Sequence, residues 1–370
     1  MIRGQNLFAE PSVGRRDFLK LSAKIVAVLG LSPTIIPQIA ESLEKGAKPA
    51  VIWLHFQECT GCTESLLRAT GPDLAEVILD VISLEYHETL FAAAGHQIED
   101  NLHNAMKRYK GKYVLVVEGA IPVKENGRFC EISGHTAIDI LKKTATDAAA
   151  VIAIGSCASW GGIPSALMAN GENPTGAQGV QKTLGELGIN KPVVNIPGCP
   201  PSPYNFLSTV VHFLNFGLPK LDKKGRPTFA YGTLIHDQCE RRGHFDSGRF
   251  AEQFGDEGHR KGYCLYKLGC KGPSTFGNCP EQGFNEDKKW PVSIGHPCFG
   301  CIEAGVGFTK SLHDTSDMAF ANPPQVYTKP TDPQEKGIDP LATAAAGLAA
   351  GVVATAVYKK GKALPGKEGE

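Results

Sequence analysis

Residues 150–162 have the sequence AVIAIGSCASWGG, in which a short apolar run leads directly into a glycine and a cysteine. A similar arrangement recurs where residues 50–56 (AVIWLHF) precede Cys59 and where residues 192–196 (PVVNI) precede Cys199. Continuous apolar runs of this length are typical of strands that are buried on both faces of a sheet. Because the carboxyl ends of parallel strands lie at one edge of an α/β sheet, these cysteines are expected to meet there.

Strand and helix patterns alternate around these three runs. Apolar residues 112–117 and 77–84 are two further predicted strands. The predicted helices are residues 63–69, 99–109, 136–146 and 205–216. This alternation predicts a parallel sheet with helices on both faces, ending at about residue 219. The periodicity fades beyond residue 220, which predicts a second, largely irregular domain.

The composition limits the possible classes of function. Lys+Arg and Asp+Glu each number 38, so the chain lacks the basic excess that is typical of nucleic-acid binding. The 42 glycines and 25 prolines indicate much irregular backbone, which suits metal-binding loops. The 11 cysteines are an odd number, which a purely disulfide-bonded scheme does not explain.

Four cysteines are predicted to form one site at the sheet edge. Cys59 and Cys62 form a CxxC pair after the first strand, and Cys157 and Cys199 follow two later strands. Four thiolates suit a cubane iron–sulfur cluster. The alternative is that Cys157 and Cys199 are small core residues, as free cysteines often are. Their glycine-rich turns beyond the apolar runs favour the metal site.

The region after residue 220 contains six more cysteines and a histidine that could bind metal. They are His236, Cys239, Cys264 and Cys270, followed by Cys279, Cys298 and Cys301. Cysteine and histidine also build structural zinc sites, and spacing alone does not separate zinc from iron. The last three cysteines lack an obvious fourth ligand, since Trp290-Pro291 offers only a proline. This favours a three-iron cluster over zinc.

The N-terminal residues 1–49 have the features of an export signal. Arg15 and Arg16 precede a moderately apolar stretch at residues 21–39, which is typical of twin-arginine signals. An ordinary amphipathic helix is the alternative. The twin-arginine route carries folded proteins, so it favours cofactors loaded in the cytoplasm over disulfides. We therefore expect residues 1–49 to lie outside the folded body.

Residues 341–358 (LATAAAGLAAGVVATAVY) form an uncharged run near the C-terminus. A membrane helix needs roughly 20 apolar residues, with a lower limit of about 17, so the run is just long enough to be an anchor. Gly347 and Gly351 form a GxxxG pair suited to helix packing. The lysine-rich residues 359–370 are expected to be cytoplasmic, and residues 322–340 to be a linker. A buried, alanine-rich core helix is the alternative.

Several segments resemble the small, electron-transferring subunit of membrane-bound NiFe hydrogenases, and most closely the hydrogenase-2-like uptake type. They are ECTGCTES (58–65), GSCASWGG (155–162), NIPGCPPSP (195–203), RPTFAYGTLIHDQCERRGHF (226–245), GYCLYKLGCKGPSTFGNCP (262–280) and WPVSIGHPCFGC (290–301). The resemblance covers residues from about 50 to 310. It implies an α/β fold: a flavodoxin-like parallel sheet domain at residues 50–220, followed by a largely irregular iron–sulfur cluster domain at residues 221–321.

The resemblance also implies two 4Fe-4S clusters and one 3Fe-4S cluster. Cys59, Cys62, Cys157 and Cys199 would hold the proximal 4Fe-4S cluster, Cys279, Cys298 and Cys301 the medial 3Fe-4S cluster, and His236, Cys239, Cys264 and Cys270 the distal 4Fe-4S cluster. Cys130 is left as an unligated thiol. The family carries extra cysteines in its oxygen-tolerant members, where this chain has Gly61 and Gly162, so an oxygen-sensitive enzyme is expected. Glu58 is either a proton relay or a charge that orients its loop.

The implied activity is hydrogenase, with the NiFe site on a large partner subunit. Electrons from H2 would pass through the clusters to an integral membrane or ferredoxin-like subunit and then to the quinone pool, on the periplasmic face of the membrane. A free-standing iron–sulfur carrier, a zinc-stabilised interaction module and a disulfide-linked envelope protein are the rival interpretations. Iron and acid-labile sulfide analysis, with EPR, discriminates these three rivals.

Overall fold

A computed structural model of the chain describes residues 15–45, 48–69, 81–168, 170–284 and 288–318. It contains a sheet of five parallel strands and a separate two-stranded antiparallel pair. The strands are β1 (Ala50–His55), β2 (Ser83–His87), β3 (Val114–Glu118), β4 (Glu131–Ile132), β5 (His135–Thr136), β6 (Ala150–Ile154) and β7 (Val193–Ile196). The five-stranded sheet has the order β2-β1-β3-β6-β7, and β4 pairs with β5.

The described helices differ greatly in length between the two halves of the chain. In the first half they are α1 (Arg15–Leu29), α2 (Ile36–Lys45), α3 (Gly61–Leu67), α4 (His96–Arg108), α5 (Ala137–Thr146), α6 (Gly155–Trp160), α7 (Val180–Glu186) and α8 (Pro203–Phe216). In the second half they are α9 (Thr228–Tyr231), α10 (Ile235–Gln238), α11 (Arg242–Asp246), α12 (Glu257–Arg260) and α13 (Cys279–Gln282). Short 3-10 turns connect them.

The parallel sheet confirms the predicted α/β class, and its strand order is that of flavodoxin-like folds. Four of the predicted strands lie within two residues of the observed β1, β3, β6 and β7. The fifth, predicted at residues 77–84, is shifted, because the strand observed there is Ser83–His87. Residues 77–80 lie outside the described residues.

The two faces of the sheet are covered differently. Alternate side chains of each strand point to opposite faces, so Ile52 and Leu115 lie in one core and Val51 and Val116 lie in the other. Helices α4, α5 and α7 contribute to the first core. Helix α8 contributes to the second, which continues into the irregular domain. The cysteine-rich region therefore packs on the α8 side of the sheet.

Helices α1 and α2 pack against α8, so the expectation that the N-terminal residues lie outside the folded body is wrong for residues 15–45. Leu21, Ile25 and Ile39 are buried in the same core as α8. The Lys24 Nζ donates a hydrogen bond to the Tyr204 hydroxyl (3.3 Å). The physical reason is the amphipathic pattern of both helices, which places one apolar stripe against the apolar α8.

The second domain is irregular, as predicted. From Leu221 onward the longest helix among the described residues, Arg242–Asp246, has five residues. Isolated bridges such as Leu234 with Phe276 hold the loops together. The predicted linker at residues 322–340 and the predicted anchor at residues 341–358 lie outside the described residues. Among those that are described, no helix combines the length and apolarity needed to cross a membrane.

Candidate functional site

The first four predicted ligands come together at the carboxyl edge of the sheet, and we call Cys59, Cys62, Cys157 and Cys199 the sheet-edge group. Cys59 and Cys62 follow β1, while Cys157 and Cys199 follow β6 and β7. The loops after β6 and β7 are tied together, because the Ser156 N–H donates to the Gly198 carbonyl (2.8 Å) and the Gly198 N–H donates to the Ser156 hydroxyl (3.0 Å). Parallel pairing of the strands thus brings distant cysteines to one place.

Burial is the main cause of the raised pKa values of the thiols of Cys62, Cys157 and Cys199 in the sheet-edge group. It raises the pKa of Cys157 to about 12, with a further contribution from nearby Cys199. It also raises the pKa of Cys62 well above its usual range, and the neighbouring Glu118 and the other three cysteines of the group add to this effect. Each of these groups is therefore close enough to act on the others. A bound cation would favour the thiolates, which burial alone disfavours.

Glu118, at the end of β3, fixes the loop that carries the CxxC pair. Its side chain is 1% exposed. Its Oε1 accepts the N–H of Cys62 (2.9 Å), and its Oε2 accepts the Thr63 hydroxyl (2.6 Å) and the Trp53 Nε1–H (3.3 Å). Glu118 was not among the residues predicted from the sequence. The signal for it was a lone carboxylate that ends the otherwise apolar run VLVVE (114–118).

Glu58 lies beside a buried histidine rather than alone. The His55 Nδ1 lies 3.5 Å from the Glu58 Oε1 and 3.9 Å from the Glu118 Oε2. Burial lowers the pKa of His55, but the carboxylates of Glu58, Glu118 and Glu88 outweigh it, so the pKa of His55 is raised overall. The contact with His55 is compatible with both readings of Glu58, the relay and the loop-orienting charge.

A second group of predicted ligands lines a single cavity, and we call His236, Cys239, Cys264 and Cys270 the histidine group. Trp290, Arg241 and Arg242 also line this cavity. The Nε2 of His236 is buried and has no hydrogen-bond partner among the residues that the structure describes. Burial, with a smaller effect of Arg242, lowers the pKa of His236 to about 4, so its imidazole is neutral at pH 7. A buried, neutral and unpartnered imidazole nitrogen is suited to a metal ion.

Cys279, Cys298 and Cys301, the three-cysteine group, lie between the other two. The Ser156 hydroxyl of the sheet-edge loop donates to the Cys301 carbonyl (2.6 Å). On the other side, the Lys271 N–H donates to the Cys298 carbonyl (2.5 Å). Burial raises the pKa of all three thiols; Cys199 adds to the effect on Cys301, and Cys270 adds to that on Cys298. The three groups therefore form a continuous row.

The donor sets fit metal clusters. The row contains four thiols, three thiols, and three thiols with one imidazole, none of which forms a disulfide in the structure. Thiolates and imidazole are the ligands that iron–sulfur clusters and zinc use. Cys130 lies elsewhere, since it packs with the core on the opposite face of the sheet. Burial raises the pKa of the Cys130 thiol to about 11, which favours its protonated form at neutral pH.

Gly61 and Gly162 both lie against the sheet-edge group. A Cβ at residue 61 would be 3.1 Å from the Cys59 Sγ, and one at residue 162 would be 2.7 Å from the Cys157 Sγ. Residue 162 also has a φ of +51°. Any side chain at either position would therefore touch this group directly.

Two family models match the chain, and the boundary between them falls where the sheet domain gives way to the irregular domain. Residues 59–213 match the family described as NADH ubiquinone oxidoreductase, 20 Kd subunit, and residues 231–313 match the C-terminal family of the NiFe/NiFeSe hydrogenase small subunit. The first match covers the sheet-edge group, and the second covers the histidine group and the three-cysteine group.

Curated relatives match over nearly the whole chain. The Hydrogenase-2 small chain of Escherichia coli (strain K12) is 51% identical over 98% of this chain and 97% of its own length. The quinone-reactive Ni/Fe-hydrogenase small chain of Wolinella succinogenes is 45% identical over 95% of this chain and 99% of its own length. The uptake hydrogenase small subunit of Azotobacter vinelandii is 43% identical over 96% of this chain and 95% of its own length.

Solved structures share the fold. A [NiFeSe]-hydrogenase chain from Dm. baculatum has a TM-score of 0.64 and 37% identity, covering 70% of this chain and 95% of that one. A [NiFeSe] hydrogenase chain from Desulfovibrio vulgaris Hildenborough has a TM-score of 0.63 and 40% identity, covering 70% of this chain and 94% of that one. With relatives of this identity spanning the full length, the chain belongs to the family of NiFe hydrogenase small subunits.

Proposed function

We propose that the three groups hold the clusters of an electron-transferring small subunit in a hydrogen-uptake NiFe hydrogenase. The sheet-edge group would hold a proximal 4Fe-4S cluster, the three-cysteine group a medial 3Fe-4S cluster, and the histidine group a distal 4Fe-4S cluster. When bound, such clusters accept and donate single electrons. The observation that carries the proposal is the row: the backbone around the three-cysteine group is hydrogen-bonded to Ser156 on one side and to Lys271 on the other.

The side chains exposed at the two ends of the row indicate where each partner would dock. Cys59 is exposed at the sheet edge. The loop after Cys157 exposes Ile163 and Leu167, which are 58% and 61% exposed, and Met168. Exposed apolar side chains at the rim of a buried site are typical of a protein–protein interface. We therefore place the docking surface for the large subunit, with its NiFe site, at the sheet-edge group.

The other end of the row would face the electron acceptor. A neutral imidazole replaces a charged thiolate in the histidine group, and lower negative charge on the ligands favours a higher reduction potential. We propose that the acceptor is an integral membrane or ferredoxin-like subunit that reduces quinone, as the name of the Wolinella succinogenes relative suggests for that protein. The twin-arginine signal at residues 1–49, the anchor at residues 341–358 and a periplasmic location belong to the same proposal.

Gly61 and Gly162 support an oxygen-sensitive enzyme, because neither position supplies an additional thiol to the sheet-edge group. The purified complex is expected to lose H2 oxidation activity on exposure to air. Activity that persists in air at the anaerobic rate would contradict this part of the proposal. Glu58, beside His55, is proposed as a proton relay near the large subunit. A Glu58→Gln variant that keeps its wild-type rate of H2–D2O exchange would leave it only the loop-orienting role.

Metal analysis of the membrane-extracted complex tests the assignment as a whole. Two cubane clusters and one three-iron cluster require about eleven iron atoms per chain. The matching acid-labile sulfide, an EPR signal of an oxidised 3Fe-4S cluster and a co-purifying nickel subunit are the other expected results. Zinc in place of iron would show an interaction module. Iron without a nickel subunit would favour a free-standing electron carrier.

A further inference from the structure

Lys271 is a fully buried lysine that lies between the histidine group and the three-cysteine group. Its side chain is 1% exposed, which is rare for a charged residue. It directly follows Cys270 in sequence, and its backbone N–H donates to the Cys298 carbonyl (2.5 Å). It packs against the loop between Cys298 and Cys301, since a Cβ at Gly300 would lie 3.2 Å from the Lys271 Cβ. The backbone of this buried lysine thus lies between the two groups of predicted ligands.

The ammonium group is bound by neutral partners. Its Nζ donates to the carbonyl of Gly269 (3.0 Å) and to the carbonyl of Asp314. Within the part of the chain that the structure describes, it forms no ion pair with a carboxylate. Burial lowers the pKa of Lys271, and the Asp314 carboxylate opposes this only weakly, because that residue is exposed and water screens its charge. A buried cation that lacks a carboxylate partner is costly unless another negative charge offsets it.

Cys270 directly precedes Lys271, and the Cys298 carbonyl accepts the Lys271 backbone N–H, so a cysteine of each neighbouring group lies next to this lysine. Thiolate ligands and a bound cluster carry net negative charge, which increases by one unit on reduction. A fixed positive charge nearby stabilises the reduced form more than the oxidised form, and it acts strongly where no water intervenes. On the cluster assignment proposed above, we infer that Lys271 is an electrostatic positioning residue that raises the reduction potentials of both the medial and the distal cluster.

Redox titration of the whole membrane-extracted complex, monitored by EPR, tests this inference. Lys271→Gln keeps hydrogen-bond donors for the two carbonyls but removes the charge, and Lys271→Arg keeps the charge. With Gln, the equilibrium constant for reduction of the medial and distal clusters is expected to fall about tenfold. This corresponds to a decrease of about 59 mV in each one-electron reduction potential. With Arg the two potentials are expected to stay close to wild type.

Two controls identify the cause of any shift. Lys310→Gln removes the same charge from an exposed lysine nearby, which pairs with Asp317, and is expected to leave the potentials unchanged. The proximal cluster of the Lys271→Gln complex is an internal control, because the three-cysteine group is bonded to Lys271 on one side and to the sheet-edge loop on the other. Equal potentials for Lys271→Gln and wild type would overturn the inference and leave Lys271 only a hydrogen-bonding role.

Lys271→Met is the second variant, since it fills a similar buried volume without a polar group. It is expected to lower the same two potentials. If both neutral variants lost their clusters while Lys271→Arg kept them, Lys271 would be a folding residue and the inference would be wrong. Failure of the cluster assignment is distinguishable from this, because the wild-type complex would then lack the iron, the sulfide and the EPR signals themselves.

Discussion

At Gly155 the backbone has a φ of +85°, and a Cβ would lie 2.4 Å from the Cys62 Sγ. Gly155→Ala therefore adds the strain of a left-handed alanine, about 1 kcal/mol or more, to a contact that displaces the Cys62 thiol of the sheet-edge group. We expect the variant complex to lose the proximal cluster, and with it roughly a third of its iron on the assignment of two cubanes and one three-iron cluster. Iron and sulfide analysis with EPR measures this loss.

Gly185→Ala is the matched control for this prediction. Gly185 lies in α7, has an ordinary helical backbone and has nothing within 4 Å of an added Cβ. Alanine is favoured over glycine in a helix by up to about 1 kcal/mol, so this variant is expected to keep its full iron content. If the Gly155→Ala complex had the iron content of the wild type, cluster binding by the sheet-edge group would not require Cys62 in its observed position.

The cysteines and His236 could be predicted as ligands from the sequence because their chemistry is visible in single residues and their spacing. The sequence did not identify Glu118, whose importance depends on the Cys62, Thr63 and Trp53 groups that the fold brings to it. A glutamate at the end of an apolar strand has the same sequence pattern whether it faces water or a buried loop. Its role follows only from the parallel pairing of β1 with β3.

At the scale of single elements, Asp256 caps α12 and makes that helix sensitive to acid. Its carboxylate accepts the N–H groups of His259 (2.6 Å) and Gln253 (3.0 Å), and these bonds lower the pKa of Asp256 below its ordinary value. Since the folded pKa lies below the unfolded one, the cap stabilises the helix above pH about 4 and is lost as pH falls through the folded pKa.

Hydrogen exchange at the His259 amide of the intact complex measures this cap. The usual aspartate pKa is about 4, so the measurement runs from about pH 5 down to about pH 3. Over this range the protection of the His259 amide is expected to decrease, after correction for the intrinsic exchange rate. In Asp256→Asn, which caps helices about as well but does not titrate, the protection is expected to be independent of pH. The same pH dependence in both proteins would assign the effect to another group.

The packing of α1 and α2 on α8 is a second property of elements. Ile25 is fully buried in this contact, whereas Ala27 on the same helix is exposed. In the full-length chain, Ile25→Asp buries an unpaired carboxylate and is expected to release the two helices. Trypsin cleavage at Lys20 and Lys24 should then become at least about tenfold faster, which corresponds to about 1.4 kcal/mol.

Ala27→Asp is the control, because it places the same charge on the solvent side of α1, and it is expected to leave the cleavage rate unchanged. Equal rates for both variants would show that the helices do not depend on this contact in solution. The sequence predicted the apolar character of residues 21–39, with an amphipathic helix only as the alternative, but it did not predict their docking. The apolar stripe that packs on α8 has the same composition as the apolar part of an export signal.

The strands were predictable for a physical reason that the helices at the N-terminus lack. β1, β3, β6 and β7 are continuous apolar runs, and only the interior of a sheet covered on both faces accommodates such runs. The irregular domain was predictable only as irregular. Its short helices, such as Arg242–Asp246, are set by side-chain contacts such as the Arg242 pairs with Asp237 and Asp246 rather than by periodicity.

At the scale of the whole molecule, the order of the three groups is a tertiary property. Spacing along the chain places the three-cysteine group last, after the histidine group. In the structure it lies between the histidine group and the sheet-edge group, because the loop of Cys298 and Cys301 contacts both the sheet edge and Lys271. The row therefore could not be derived from the sequence pattern alone, and it runs from one domain into the other.

The exposed ends of this row predict where the partners dock. Leu167 lies on the loop that follows Cys157 and is 61% exposed, and Ile294 lies in the second domain and is 68% exposed. If the large subunit covers the sheet-edge group, Leu167→Asp places a charge inside an apolar interface, where an unpaired charge is costly. We expect this variant to reduce co-purification of the nickel subunit at least about tenfold, since each 1.4 kcal/mol of lost affinity is tenfold.

Ile294→Asp makes the same change on the other domain and is expected to retain the nickel subunit. Because Leu167 contributes no ligand, iron bound to the isolated small chain should be equal in the two variants, and the nickel-to-iron ratio of the purified material then reports docking alone. The reverse pattern, with nickel lost only from Ile294→Asp, would place the catalytic partner at the histidine group and reverse the direction of electron flow proposed for the row.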